Sequence, residues 1–419
     1  MNARDLRRRR RRRTSARSLV RRAAAAALAT QLLTVAGLLV FDSQRRKDRP
    51  DREFPHEADG PVPVSGGDMR IYTFGEDLFA DMLADIDAAT DRIYFETYIW
   101  KGDAIGERFR QALVAAHERG VEVYIVIDEF ANLVVPRSFY RSLPEGIHLK
   151  RHPLATGGLL FFTPSHWGRN HRKLLVVDET AAYVGGYNIG EDYAHRWRDT
   201  HARFAGDMVV ELENSFVDYW NHYHAQPQLP QPRQRTWNRD IRVHRNLPAD
   251  LVYPIRNMYL EAIDRASERV WLTTAYLIPD RAFARSLVSA AQRGADVRII
   301  VPHFSNHIVA DWVSRVNYEQ LLRGGVRILR FENAMVHAKT ATIDGLWSTI
   351  GTANIDRLSL VGNYEVNMEI LDRAVASRME EIFTLDAGNC SELTLEEWTA
   401  RPLINRVTEG ILSPWRPLL

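Results

Sequence analysis

Apolar residues along this chain recur with two periods. Runs rich in β-branched and aromatic residues, such as Val121–Asp128 (VEVYIVID) and Ala295–Pro302 (ADVRIIVP), read as strands. Each follows an amphipathic stretch, opening near Ala112 or Ser286, that halts at Arg119-Gly120 or Arg293-Gly294. Glycine just past the last turn is the expected helix stop. The segment Ala84–Ile93 (ADIDAATDRI) is echoed 177 residues later by Glu261–Val270 (EAIDRASERV). The body is therefore a repeat, each copy running strand, helix, strand, helix, strand, then further strands and a closing helix. This alternation predicts an α/β fold of two pseudo-symmetric halves, each a mixed sheet flanked by helices. The halves are expected at 67–224 and 241–395, with a Pro- and Gln-rich linker at 225–240 between them and an apolar tail at 396–419.

The N-terminal pattern is different. Ala23–Phe41 holds nineteen uncharged residues interrupted only by Thr30, Gln31 and Thr34, close to the length a bilayer requires. It predicts one transmembrane or membrane-inserted helix, with an interfacial helix or signal-peptide core as the alternatives. Residues 42–66, charged and Pro-containing, read as a linker. Residues 1–22 carry eleven Arg against Asp5, a charge of +10, which leaves −8 for the remainder of a chain whose overall charge is +2. Basic residues in front of the apolar segment favour a cytoplasmic N-terminus and a body on the other side. An acidic body argues against a nucleic-acid enzyme, which draws most of its non-specific affinity from a basic surface. The single cysteine, Cys390, excludes an intrachain disulfide framework and a thiolate metal cluster.

Candidate chemistry comes from a motif that occurs once in each half. His171, Lys173 and Asp178 form HxKxxxxD, as do His337, Lys339 and Asp344. The agreement continues: Gly185 and Gly351 follow their histidines by fourteen residues, Asn188 and Asn354 by seventeen, Asp199 and Glu365 by twenty-eight. In an extended segment residues i and i+2 share a face, so each His points with its Lys. Two imidazoles, two ammonium groups and two amides brought to one cleft make a receptor for a phosphate diester that needs no metal to neutralise its charge. One His can attack phosphorus while the other protonates the leaving alkoxide. Asp199 and Glu365 are suited to hold an imidazole Nδ1–H, leaving Nε2 to react.

These residues resemble the phospholipase D superfamily and, within it, bacterial cardiolipin synthases. The likeness runs from about Arg70 to Phe383, with motif segments 165–192 and 331–358, and includes WRDTH (Trp197–His201) and GTANIDRLSLVGNYE (Gly351–Glu365). It implies two phospholipase D-like halves and a phosphatidyl group passed between phosphatidylglycerol molecules through a phosphohistidine, at a bacterial cell membrane, without a cofactor. It also implies His171 as nucleophile and His337 as general acid, with Lys173, Lys339, Asn188 and Asn354 on the phosphoryl oxygens and Asp178 and Asp344 supporting the site; at strand ends, Asp178 and Asp344 read equally as turn caps. Hydrolysis by a phospholipase D and diester cleavage by a nuclease of the superfamily are the alternative activities. The chain departs from the family pattern after Asn354, where Asp356 is followed by Arg357, Leu358 and Ser359, so the usual Arg is displaced by one.

Other residues have plainer readings. His166, His195 and His201 are unmatched between the halves and read as structural, and Trp197 as core. Glu96, on an apolar strand, needs a buried partner. Gly157–Phe162 (GGLLFF) reads as a buried strand or an apolar flap. Ile411, Leu412, Trp415, Leu418 and Leu419 have the composition of an interfacial anchor.

Overall fold

The computed structural model describes residues 29–40, 53–57, 60–154, 168–222, 226–230 and 238–414. The first sheet comprises β1 (Val62–Val64), β2 (Gly67–Tyr72), β3 (Arg92–Thr97), β4 (Glu122–Asp128), β5 (His148–His152), β6 (Leu174–Val177) and β7 (Ala181–Gly185). A two-residue strand, β8 (Trp197–Arg198), precedes its last member, β9 (His201–Gly206). The second sheet holds β10 (Ile241–Asn246), β11 (Arg269–Thr274), β12 (Asp296–Pro302) and β13 (Arg327–Phe331). After the short β14 (Met335–Val336) it continues with β15 (Lys339–Ile343), β16 (Trp347–Gly351), β17 (Glu365–Leu371) and β18 (Cys390–Leu393).

The two sheets repeat one plan. Seven strands ordered β2-β9-β7-β6-β3-β4-β5 in the first correspond to β10-β17-β16-β15-β11-β12-β13 in the second. Only β3-β4-β5 and β11-β12-β13 are parallel within them, so both sheets are mixed. Each first crossover is a helix: Ala104–Glu118 starts on Asp103, whose carboxylate accepts from Gly106 N, and Arg281–Gln292 starts on Asp280, which accepts from Ala282 N and Phe283 N. Both end on a left-handed glycine, Gly120 and Gly294, a conformation that side-chain-bearing residues resist.

The halves share a core. Val176, Val184, Phe204 and Phe216 from the first half lie in one buried cluster with Ile350, Val366, Met368 and Met379 from the second. At about 1.5–3 kcal/mol for each large apolar side chain removed from water, this cluster ties the two sheets into one body. The helices Met208–His222 and Arg373–Gly388 both contribute to it.

Several expectations change here. Residues 42–66 are not linker throughout, because Val62–Val64 pairs with β2 and Phe54 is buried with Phe331 and Phe383. Within 225–240, residues 226–230 pack back, with Trp220 Nε1 donating to Pro227 O and Leu229 buried. The predicted membrane segment is described only over 29–40, which is helical; no helix among the described residues is long and apolar enough to cross a membrane. Gly157–Phe162, His166, Trp415, Leu418 and Leu419 lie outside the described residues. Leu412, expected in an interfacial anchor, is fully buried.

Asp178 and Asp344 take the strand-end, turn-capping place and not one in the cleft. Each sits in a left-handed conformation at the far end of β6 or β15 from its motif histidine. Asp178 accepts from the backbone N–H groups of Thr90, Asp91 and Arg92 and from Thr90 Oγ1, at 2.9–3.1 Å. Asp344 does the same with Ser267, Glu268 and Arg269 at 2.8–3.0 Å. These carboxylates clamp the start of β3 and β11 to the neighbouring hairpin and lie outside the cleft. Partial burial opposes ionisation, but the converging backbone donors prevail and hold both carboxyls below the usual range.

Candidate active site

The cleft forms at the C-terminal ends of β3 and β11, where the two motifs meet. Each histidine is gripped twice by the opposite half. His171 donates its backbone N–H to Tyr364 O at 3.0 Å, and its Nδ1 lies 3.0 Å from both oxygens of the next residue, Glu365. His337 donates its backbone N–H to Arg198 O at 2.7 Å, and its Nδ1 lies 2.6 Å from the next residue, Asp199. The carboxylate twenty-eight residues after each histidine thus serves the other one. One backbone bond sets the depth of each imidazole and the adjacent carboxylate sets its rotation, so Nε2 is the atom left for chemistry. The carboxylates are fixed in turn: Glu365 accepts from Thr352 Oγ1 at 2.5 Å and Asp199 from Thr200 N at 2.7 Å.

Lys173 and Lys339 are both buried, each donating to the carbonyl of its own histidine. Lys339 Nζ is 3.9 Å from Asp199. Burial drives the Lys173 ammonium down to about 7 and Lys339 to about 8, Glu365 and Asp199 opposing this, and Lys339 adds repulsion on Lys173. Burial likewise lowers His171, against the pull of Glu365, and takes His337 to about 3, helped by Lys339. Asp199 stays low despite burial because Lys339 and His337 face it. A phosphate diester here would supply the negative charge that restores both ammonium groups and lets one imidazole hold a proton.

Asn188 and Asn354 are buried beside the cleft but not equally engaged. Asn188 Oδ1 accepts from Ile99 N at 3.1 Å, whereas Asn354 Oδ1 has no partner among the described residues. Such an orphaned buried amide costs stability unless a ligand meets it.

Behind His171 and Lys173, the intervening Arg172 points away and is fully buried, its Nη2 2.8 Å from Glu96 Oε2. Glu96 also accepts from Asn170 Nδ2 at 2.6 Å, so it supports the first motif strand from outside the cleft.

Three neighbours were missed in the sequence. Tyr98 stands edge-on to His171 with ring centroids 4.8 Å apart, and Trp197, half-buried, packs against the first-half core and also meets His337 at 5.1 Å. His201 is buried, and neither ring nitrogen has a partner among the described residues. Burial pushes its imidazole down to about 3, with Asp199 and Lys173 close enough to act on it. The signal for Trp197 and His201 was available in WRDTH, whose alternate residues 197, 199 and 201 flank the orienting carboxylate. His195 is at the surface, 3.6 Å from Glu76. Among the described residues no group of three or more His, Cys, Asp or Glu could hold a metal ion.

The family model "Cardiolipin synthase, PLD-like domain" matches residues 82–220 and 259–386. The major cardiolipin synthase of Bacillus subtilis (strain 168) is 32% identical over 372 residues, 83% of this chain and 75% of that protein. A cardiolipin synthase of Clostridium perfringens (strain SM101 / Type A) is 31% identical over 381 residues, covering 86% and 79%. Among solved structures, a phosphatidylserine synthase from Haemophilus influenzae Rd KW20 shares the fold with a TM-score of 0.66 at 14% identity, over 84% of this chain and 93% of that one. A doubled mixed sheet with paired His–Lys motifs at its centre defines an enzyme of the phospholipase D type. The chain belongs to the cardiolipin synthase family of phospholipase D-like proteins.

Proposed function

We propose that the chain makes cardiolipin by transferring a phosphatidyl group from one phosphatidylglycerol to another. His171 Nε2 attacks phosphorus; the bond from phosphorus to the glycerol oxygen breaks as His337 Nε2 gives that oxygen its proton, leaving a phosphohistidine and free glycerol. A hydroxyl of the second phosphatidylglycerol then loses its proton to His337 and attacks phosphorus, releasing His171. Lys173, Lys339, Asn188 and Asn354 bind the phosphoryl oxygens, and Glu365 and Asp199 hold the two imidazoles in the reactive tautomer. The observation that carries this reading is the crosswise pairing of each motif histidine with the other half's carboxylate. It leaves two Nε2 atoms and two buried lysines around one cleft, which is what an in-line double displacement on a diester requires.

A membrane setting belongs to the same reading, because the substrate is a diacyl lipid and the chain carries the apolar segment Ala23–Phe41 behind an Arg-rich stretch. The test is incubation of the full chain with labelled phosphatidylglycerol in mixed micelles containing a metal chelator, followed by thin-layer chromatography. Cardiolipin and glycerol from the wild type, and neither from His171→Ala, is the expected result. Phosphatidic acid alone would make the protein a hydrolase, and no lipid turnover would overturn the lipid reading.

A further inference from the structure

The second half holds a cavity of about 390 Å³ that the reaction above does not use. It lies at the end of β12, beside Pro302, His303 and Phe304, and is bounded on another side by the segment that carries helices Leu395–Thr399 and Leu403–Leu412. Arg330 of β13 lines it, and in the sheet order β11 and β12 stand between β13 and the motif strand β15. The cavity is therefore a separate place from the cleft. Its size is that of a small-molecule site, roughly 300–1,000 Å³.

Two of its lining groups are donors with nothing to donate to. Arg330 gives both Nη atoms to Glu397, at 2.7 and 3.2 Å, while its Nε is enclosed without a partner among the described residues. Trp398 is 6% exposed, and its Nε1 likewise has no partner among the described residues. A buried N–H is destabilising until an acceptor meets it. The indole is held in place: the Arg401 guanidinium stacks 3.9 Å from the ring centre and donates Nη1 to Trp398 O at 2.7 Å, and Tyr318 packs against the ring. Charge narrows the class of ligand. The three guanidiniums on the wall, Arg315, Arg330 and Arg401, are already paired with Asp311, Glu397 and Glu409. What the cavity lacks is acceptor oxygens, not net negative charge, and Asp311 and Glu397 on its wall disfavour a dianion. A phosphodiester offers two unesterified oxygens at the cost of one charge, and its organic arms suit the aromatic wall of Phe304, Tyr318 and Trp398.

The geometry points to a second, non-covalent ligand site, in which Arg330 Nε and Trp398 Nε1 donate to the phosphoryl oxygens of a singly charged phosphodiester, either a lipid headgroup or a free ester. This goes beyond the proposed function and stands without it. To test it, the full chain carrying His171→Ala, so that no ligand is consumed, is isotope-labelled at the indole nitrogens of its ten tryptophans. The Trp398 resonance is assigned by its loss in Trp398→Phe, and Trp197, beside His337, reports the cleft. Titration with glycerophosphoglycerol is expected to move the Trp398 indole proton downfield to saturation. Glycerol phosphate, mostly a dianion at about pH 8 because its second pKa is about 6, should move it far less. Arg330→Lys keeps the charge opposite Glu397 but loses the Nε donor, and should need on the order of tenfold more ligand. A Trp398 signal that stays still while Trp197 moves would overturn the site, leaving the cleft to account for binding. Equal responses to glycerol phosphate and to the diester would overturn the ligand class, and unchanged affinity in Arg330→Lys would overturn the role of Nε. Saturation by glycerophosphoglycerol supports a free ester as sufficient, whereas a response to short-chain phosphatidylglycerol alone supports a lipid headgroup. Wild type that turns over no phosphatidylglycerol would overturn the proposed function and leave the Trp398 signal to decide this site.

Discussion

At the scale of single residues, the cleft depends on holding two imidazoles at fixed rotation among charges that burial disfavours. Glu365→Gln should remove the hold on His171 Nδ1 and slow formation of the phosphoenzyme by roughly 10²–10⁴-fold, read by rapid-quench single turnover. The crosswise arrangement makes this specific: Asp199→Asn should act through His337, altering the pH dependence of the leaving-group step, although Asp199 belongs to the first motif's half. The lysines give a second outcome. An anion binds better when they are protonated, and their ammonium groups are pushed to about 7 and about 8. Competitive inhibition by sulfate, whose charge is constant over this range, should therefore be strong at pH 6 and weaken as pH rises through 7–9. Sulfate affinity flat across that interval would mean that neither lysine meets the phosphoryl group. At this scale the sequence was informative about His171, Lys173, His337, Lys339, Asp199 and Glu365, since chemistry at fixed offsets repeats. It could not reveal which carboxylate serves which histidine, because the two orienters are equivalent by spacing and only the packing of the halves distinguishes them. Tyr98 and His201 escaped because neither recurs in the other copy at the corresponding place.

At the scale of elements, the repeat was legible where backbone rules act locally. Helix-stopping glycines and β-branched runs mark the ends of the crossovers at 120–128 and 294–302 in the sequence itself, whereas the helix starts, at Ala104 and Arg281 on capping Asp103 and Asp280, lie ahead of the expected Ala112 and Ser286. The motif aspartates were legible as a pattern but left two roles open, since a strand end and a cleft lie only one strand length apart in the sequence. Asp178→Ala should cost about 1–3 kcal/mol of stability, because three backbone N–H groups lose their acceptor, while the folded variant keeps its phosphoenzyme chemistry. Urea unfolding and active-site titration measure the two separately. The carboxyl's folded-state value lies below the unfolded value of about 3.9, so this stabilisation is fully present above about pH 4. It fades as pH falls toward the lowered value. Less of the segment 42–66 was legible, because Phe54 and β1 gain their places from residues far along the chain, Phe331, Phe383 and β2 among them.

At the scale of the whole molecule, the halves are joined by a buried ion pair as well as by the shared core. Arg198 of the first half meets Asp386 of the second at 2.7 Å, both side chains being almost wholly enclosed. Burial raises the Asp386 carboxyl against the pull of Arg198, and the same guanidinium donates to the backbone carbonyl of Asp199, the residue whose carboxylate orients His337. Asp386→Ala should cost about 3–5 kcal/mol by stranding the arginine, and both sheets should melt in one transition, by circular dichroism and by tryptophan fluorescence alike. Two transitions would show that the halves are less tightly coupled than this contact requires. The double grip on each histidine also bears on synthesis. A chain stopped anywhere before Glu365 holds His171 with nothing on its Nδ1, however well its first half has folded. A growing polypeptide, a truncated product or a fragment cut between the sheets therefore lacks an oriented His171, so diester cleavage waits on completion of the second sheet.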